Sequence, residues 1–160
     1  MNFLGWLNKI KNFFGLFNLN EFEIALIQKL RESVDELTVL AIEDQLSRFN
    51  RVQRILSDDE RLICGSTMFY WIKYGHSLIN KFPIRIKPIE TTEEFLFFRC
   101  TVIDSINNEI RVDFYAVYGV FVLMEYYSEK RIWYPHGEYR FNTIENLLAP
   151  SAGEQRDRSR

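Results

Sequence analysis

Over much of the second half of the chain, apolar and polar residues alternate with a period of two. In 95–104, Leu96, Phe98, Cys100 and Val102 share one parity, and Arg99 and Thr101 the other. In 110–118, Ile110, Val112, Phe114 and Ala116 stand against Arg111 and Asp113. Alternation rich in aromatic and β-branched residues predicts half-buried strands. Between the runs, Asn107-Asn108 and Tyr118-Gly119 supply residues that tolerate positive φ, as tight hairpin turns require. A third run, 120–127, is apolar on both faces except for Glu125, and predicts a strand covered on both sides. The stretch 95–127 therefore reads as an antiparallel meander.

Upstream the period lengthens. In 2–17, Phe3, Trp6, Leu7, Ile10, Phe13, Phe14 and Phe17 form one helical stripe, with Asn8, Lys9, Lys11 and Asn12 opposite. Such a helix fits either a membrane surface or a docked position on its own domain. Gly5 and Gly15 lower its intrinsic helicity, so it folds only against something. In 20–46, Phe22, Leu26, Leu30, Val34, Leu37, Ala41 and Leu46 follow one side of a second helical segment. Asn18 or Asn20 caps its start, and Ser33 with Glu36 resembles a capping box that breaks it near residue 33.

Arg48, Arg51 and Arg54 have helical spacing, yet Ser57-Asp58-Asp59 is turn chemistry and 61–71 is β-rich. A hairpin of 49–56 with 61–71 is preferred, with Gly65 as a bulge. Residues 74–82 read as a loop. Residues 84–89, between Pro83 and Pro88, read as an edge strand or short arm. Segments 130–134 and 139–141 read as a short hairpin around Pro135-His136-Gly137, 143–148 as a helical turn, and 150–160 as a polar flexible tail. The fold class is α+β: N-terminal amphipathic helices packed on an antiparallel sheet of about five strands. Residues 1–18 form an amphipathic N-terminal helix and 19–149 a single α+β domain. The helix-then-meander order resembles cystatin-like and related helix-on-sheet architectures in topology, which implies nothing about function.

Composition narrows the function classes. The 160-residue chain is 47% hydrophobic and 16% aromatic, which is globular rather than disordered. Its net charge of −2 provides no overall basic field for nucleic acid, and Asp58, Asp59 and Glu60 offset the arginines beside them. Two cysteines outside any CxxC, no secretion signal and no membrane-length apolar run point to a cytoplasmic protein.

Chemistry is sparse. Cys64, Cys100, His76 and His136 lack metal-ligand spacing, and Cys100 falls on an inward strand face, where a thiol packs as a small hydrophobe. No phosphate loop or hydrolase signature occurs, so no catalytic residue, metal or cofactor is assigned. Glu125 is the one acid on an apolar strand; with Tyr115 it marks a candidate pocket between helix and sheet, unless Arg99 or Arg111 pairs with it.

Tyr70, Trp71, Tyr74, Trp133, Tyr134 and Tyr139, with Phe69, form an aromatic set suited to binding another protein. The leading expectation is a non-enzymatic interaction module; a bacterial immunity or accessory protein has this profile. Alternatives are a peripheral membrane protein anchored through residues 3–17, and a small-molecule binder or enzyme. Homodimerisation through the two-sided apolar strand is also open.

Overall fold

A computed structural model of the chain describes residues 18–56, 63–87, 93–128 and 138–148. The predicted N-terminal stripe, Trp133, Tyr134, His136 and the C-terminal tail lie outside these residues. Helices α1 (Glu21–Ser33) and α2 (Glu36–Arg48) precede β1 (Arg51–Leu56), β2 (Ile63–Tyr70), a short ribbon of β3 (Ile72–Lys73) and β4 (His76–Ser77), and a 3₁₀ turn, Ile79–Lys81. Then come β5 (Glu94–Asp104), β6 (Glu109–Val117), β7 (Val120–Tyr127) and β8 (Tyr139–Asn146). The main sheet has six strands in the order β1-β2-β7-β6-β5-β8, every neighbour antiparallel.

The fold is thus α+β, with two helices among the described residues packed against one antiparallel sheet. The sixth strand is β8, because residues 143–146 continue the strand from Tyr139 and pair with β5 instead of forming a helical turn. The 49–56 hairpin is present, and β2 shifts register between Ile63 and Gly65, as a bulge there requires.

The helices start at sequence-encoded caps. Asn20 Oδ1 accepts from the Glu23 amide at 2.8 Å while Glu23 Oε2 accepts from the Asn20 amide at 2.9 Å, a reciprocal capping box. The break falls after Ser33, but the cap of α2 is Asp35, which accepts from the amides of Leu37 and Thr38 and the Thr38 hydroxyl. Ser33 instead bonds back to the Lys29 carbonyl. The break rotates the stripe, so Leu37 is 73% exposed while Ala41 and Ile42 are fully buried.

The core lies between helices and sheet. Phe22, Leu26, Ile27, Leu30, Ala41 and Ile42 meet Phe98, Cys100, Val102, Ile110, Val112, Phe114, Ala116 and Met124. A register shift between Leu96 and Phe98 corrects the predicted parity. It turns both Phe97 and Phe98 into the core and leaves Leu96 opposite Tyr115. Asn107 has φ 57°, Tyr118 51° and Gly119 77°, the left-handed turns that the sequence predicts. Gly119 is also needed for space, since a Cβ there would sit 2.5 Å from the Ile86 carbonyl oxygen. That contact belongs to the 84–87 segment, which is an arm and not a strand. The Ile86 amide donates to the Gly119 carbonyl at 2.8 Å, and Ile86 is buried.

Candidate functional site

The β2–β7 ladder ends at Met68 opposite Leu123, although β2 runs on to Tyr70 and β7 begins three residues earlier at Val120. Beyond the last pair the two strands are no longer bonded to each other. The β6–β7 pairing has its own irregularity here, Tyr115 facing Leu123 and Ala116 facing Phe121, which leaves Val122 without an opposite residue. A cavity of about 270 Å³ lies at this divergence. Its strand walls are Met68, Phe69, Tyr70, Val117, Val122 and Leu123; the others are Phe49, Trp71, Ser77, Ile79 and Phe82. The lining side chains are apolar except for the hydroxyls of Ser77 and Tyr70 and the indole N–H of Trp71.

Local bonds hold these walls in place. The Asn50 amide donates to the Tyr70 carbonyl at 3.0 Å, and the Asn50 side chain clamps Ile72 through both its backbone groups, at 2.7 and 3.0 Å. The Leu78 amide donates to the Trp71 carbonyl at 2.9 Å and closes the ribbon over the cavity. Phe49 stacks on Phe69 at 5.7 Å and meets Phe82 at 5.4 Å, while Trp71 packs edge-on against Phe82 at 5.0 Å. Phe69 touches Phe121 at 5.0 Å, which joins the cavity wall to the ring cluster of the core. Gln45 supports the back. Its Nε2 donates to the carbonyls of Ile84 and Gly119, and its Oε1 accepts from the Phe121 amide at 2.8 Å. A wholly buried amide is thereby satisfied at every contact the turn offers.

The predicted aromatic set is divided. Tyr70 and Trp71 line the cavity, and Tyr74 stands beside it in the β3–β4 turn, 90% exposed. Tyr139 does not join them. It lies at the opposite end of the sheet, opposite Asp104, and packs edge-on against Phe22 at 5.3 Å. The sequence reading names none of Phe49, Ile79 and Phe82 as a site residue: Phe49 reads as the start of a hairpin strand, and Ile79 and Phe82 fall in the 74–82 loop. The Phe82-Pro83 pair closing that loop was the available signal.

Tyr115 and Glu125 do not lie between helix and sheet. Their parity is opposite to that of Val112, Phe114 and Ala116, and they occupy the face turned from the helices. The expected partners of Glu125 are engaged elsewhere. Arg99 grips Asp113 with two bonds of 2.6 and 2.8 Å, and Arg111 Nε lies 3.5 Å from the same carboxylate. Asp113, overlooked in the sequence, is the buried acid of this face, 1% exposed. Glu125 accepts from the Tyr127 hydroxyl, and the Arg111 guanidinium sits 4.2 Å from the Tyr127 ring centre. Burial, followed by the hydrogen bond to Glu125, raises the Tyr127 phenol; burial likewise raises Tyr115.

A second buried polar group lies on the helix side. Glu23, wholly buried, accepts from Arg54 Nε at 2.8 Å and Nη2 at 2.5 Å, and from the Thr67 hydroxyl at 2.9 Å. Thr67 also bonds the Tyr126 hydroxyl at 3.0 Å, and Arg54 donates to the Asn18 carbonyl at 2.6 Å. Every group has a partner, so this constellation holds α1 to the sheet.

Of the candidate chemical side chains in the sequence, Cys100 and His76 are described. Cys100 is buried and its thiol is pushed up to about 12, first by burial and then by the Asp113 charge, which keeps it from acting as a nucleophile. His76 is exposed. Among the described residues no three His, Cys, Asp or Glu side chains converge to hold a metal, and no helix is long and apolar enough to cross a membrane. Comparison with protein-family models, curated proteins and solved structures finds no match. The reading of the site rests on its own geometry.

Proposed function

We propose that the chain is a non-enzymatic interaction module that binds another protein through the cavity beside Trp71. The observation that carries this reading is the divergence of β2 from β7. A preformed apolar cavity with Phe, Tyr and Trp walls opens at that end of the sheet. Binding energy at protein interfaces concentrates where one large side chain enters such a pocket, and Tyr and Trp are enriched there because they combine rigid area with a polar tip. The lining offers two hydroxyls, an indole N–H and no paired acid, base or nucleophile, so its chemistry is recognition.

A second reading, a small-molecule binder, is favoured by the apolar lining of the same cavity. Affinity capture from the native host, read by mass spectrometry, tests the first. We expect one stoichiometric protein partner, retained by the Tyr139→Phe control at the other end of the sheet and lost with Trp71→Ala. Recovery of the chain alone, or capture unchanged by Trp71→Ala in a variant with native circular dichroism, would overturn the proposal.

A further inference from the structure

We infer that the segment seated at this cavity is acidic, with one large apolar side chain flanked by Asp or Glu; the inference rests on the cavity being the binding site. The protein as a whole is acidic, at −2, yet residues 61–89 contain no Asp or Glu while carrying Arg61, Lys73, Lys81, Arg85 and Lys87. The fold places two cations of this region, together with Arg51 of β1, on the elements that build the cavity. Arg51 lies directly opposite Tyr70 in the β1–β2 register, at the end of the hairpin away from the Leu56–Ile63 connection. Lys73 belongs to the ribbon whose Ser77 lines the cavity, and Lys81 precedes the lining residue Phe82. All three are exposed, and none has an ion-pair partner among the described residues. The Lys73 ammonium rests 5.5 Å from the Tyr74 ring centre, on the outer rim.

The acids nearby do not cancel these charges. Asp44 is held by Arg48 in a two-pronged pair of 2.7–3.0 Å, and that guanidinium lies 5.4 Å from the Trp71 ring centre. Glu93 and Glu94 stand at the start of β5, with Glu94 opposite the lining residue Val117, so their charge falls on the β5–β6 side of the cavity. The positive field is therefore one-sided, along β1, the ribbon and the 3₁₀ turn. An apolar anchor fits the walls, and carboxylates beside it meet unpaired cations on that side. Such complementarity steers encounter and selects against basic partners, and it weakens with salt.

Three fluorescein-labelled synthetic peptides test this: a tryptophan flanked by glutamates, an alanine in the same glutamate frame, and a tryptophan flanked by lysines. Fluorescence anisotropy at low and high salt reads their affinity for the full chain. We expect the acidic tryptophan peptide to bind about tenfold or more tighter than either control. We also expect its advantage over the lysine peptide to shrink with salt and to reverse in a Lys73→Glu, Lys81→Glu variant. Equal binding of the acidic and basic tryptophan peptides overturns the charge inference and leaves the cavity reading standing. Equal binding of the tryptophan and alanine peptides overturns the cavity reading itself. No binding by any peptide, with decanoate alone raising the melting temperature, overturns both in favour of a small anionic amphiphile.

Discussion

The two ends of the sheet are built in opposite ways. Where α1 starts, the contact with the sheet is built from polar groups: Arg54, Glu23, Thr67 and Tyr126, each bonded to the next within 3.0 Å. Where α2 stops, the contact is built from the rings of Phe49, Phe69, Trp71 and Phe82, and it leaves about 270 Å³ unfilled. Polar groups removed from water require matched partners in fixed positions, which leaves little tolerance for a void. Rings impose no such demand, so a divergence between two strands remains open. One end fixes the helices on the sheet, and the other leaves an apolar cavity between its walls.

The strongest way to break this contrast is to remove one partner from the polar end. Arg54→Met leaves the Glu23 carboxylate buried without its cation, and loss of one member of such a pair costs about 3–5 kcal/mol. Urea unfolding followed by circular dichroism measures it. Adding Glu23→Leu restores most of the loss, because an apolar pair avoids the unpaired charge. It does not restore all of it, since Glu23 also closes the capping box on Asn20. A loss below about 1 kcal/mol for Arg54→Met would equal an exposed pair and remove the contrast between the ends.

The same contrast explains what could be read in the sequence. The meander, the left-handed turns at Asn107 and Tyr118-Gly119, and the break after Ser33 are local signals, and the structure has each of them. The polar end was hidden because an arginine on a strand reads as exposed; only the register that sets Arg54 opposite Thr67 brings it to Glu23 on α1. Asp113 was hidden for a similar reason, since an acid on the polar parity of a strand reads as exposed. Here Arg99 and Arg111 close over it. The cavity was least legible of all. It arises from where a ladder stops, and register between strands distant in sequence has no local signature.

The two helix starts offer a sharper comparison. Asn20 sits within the polar network through Glu23, whereas Asp35 caps α2 by itself at the surface. Asp35→Ala should cost about 1 kcal/mol, the usual value of an N-cap. The Thr38 hydroxyl bond, more than the amides, holds the Asp35 carboxyl below its ordinary 3.8. Its contribution is therefore present above pH 4 and is lost as pH falls through the lowered folded value. Wild type and Asp35→Ala should converge in stability near pH 2 and separate above pH 4. Parallel curves across that range would show that the cap acts without its charge.

Filling the open end is the smallest change and the most informative one. Val122 lines the cavity at the register irregularity of β7, and Val122→Ile adds one methylene where there is unoccupied volume. A buried methylene contributes about 0.8 kcal/mol. The substitution should therefore raise stability by about that amount, where the same change in a packed core is neutral or harmful. It should also weaken whatever enters the cavity, since host and guest then compete for one space. Differential scanning calorimetry and the peptide assay measure the two effects on one variant. Higher stability with weaker binding is the behaviour of a preformed site held open at some cost to the fold. Lower stability would mean that the walls around Val122 are already packed, and the two ends would then differ only in polarity.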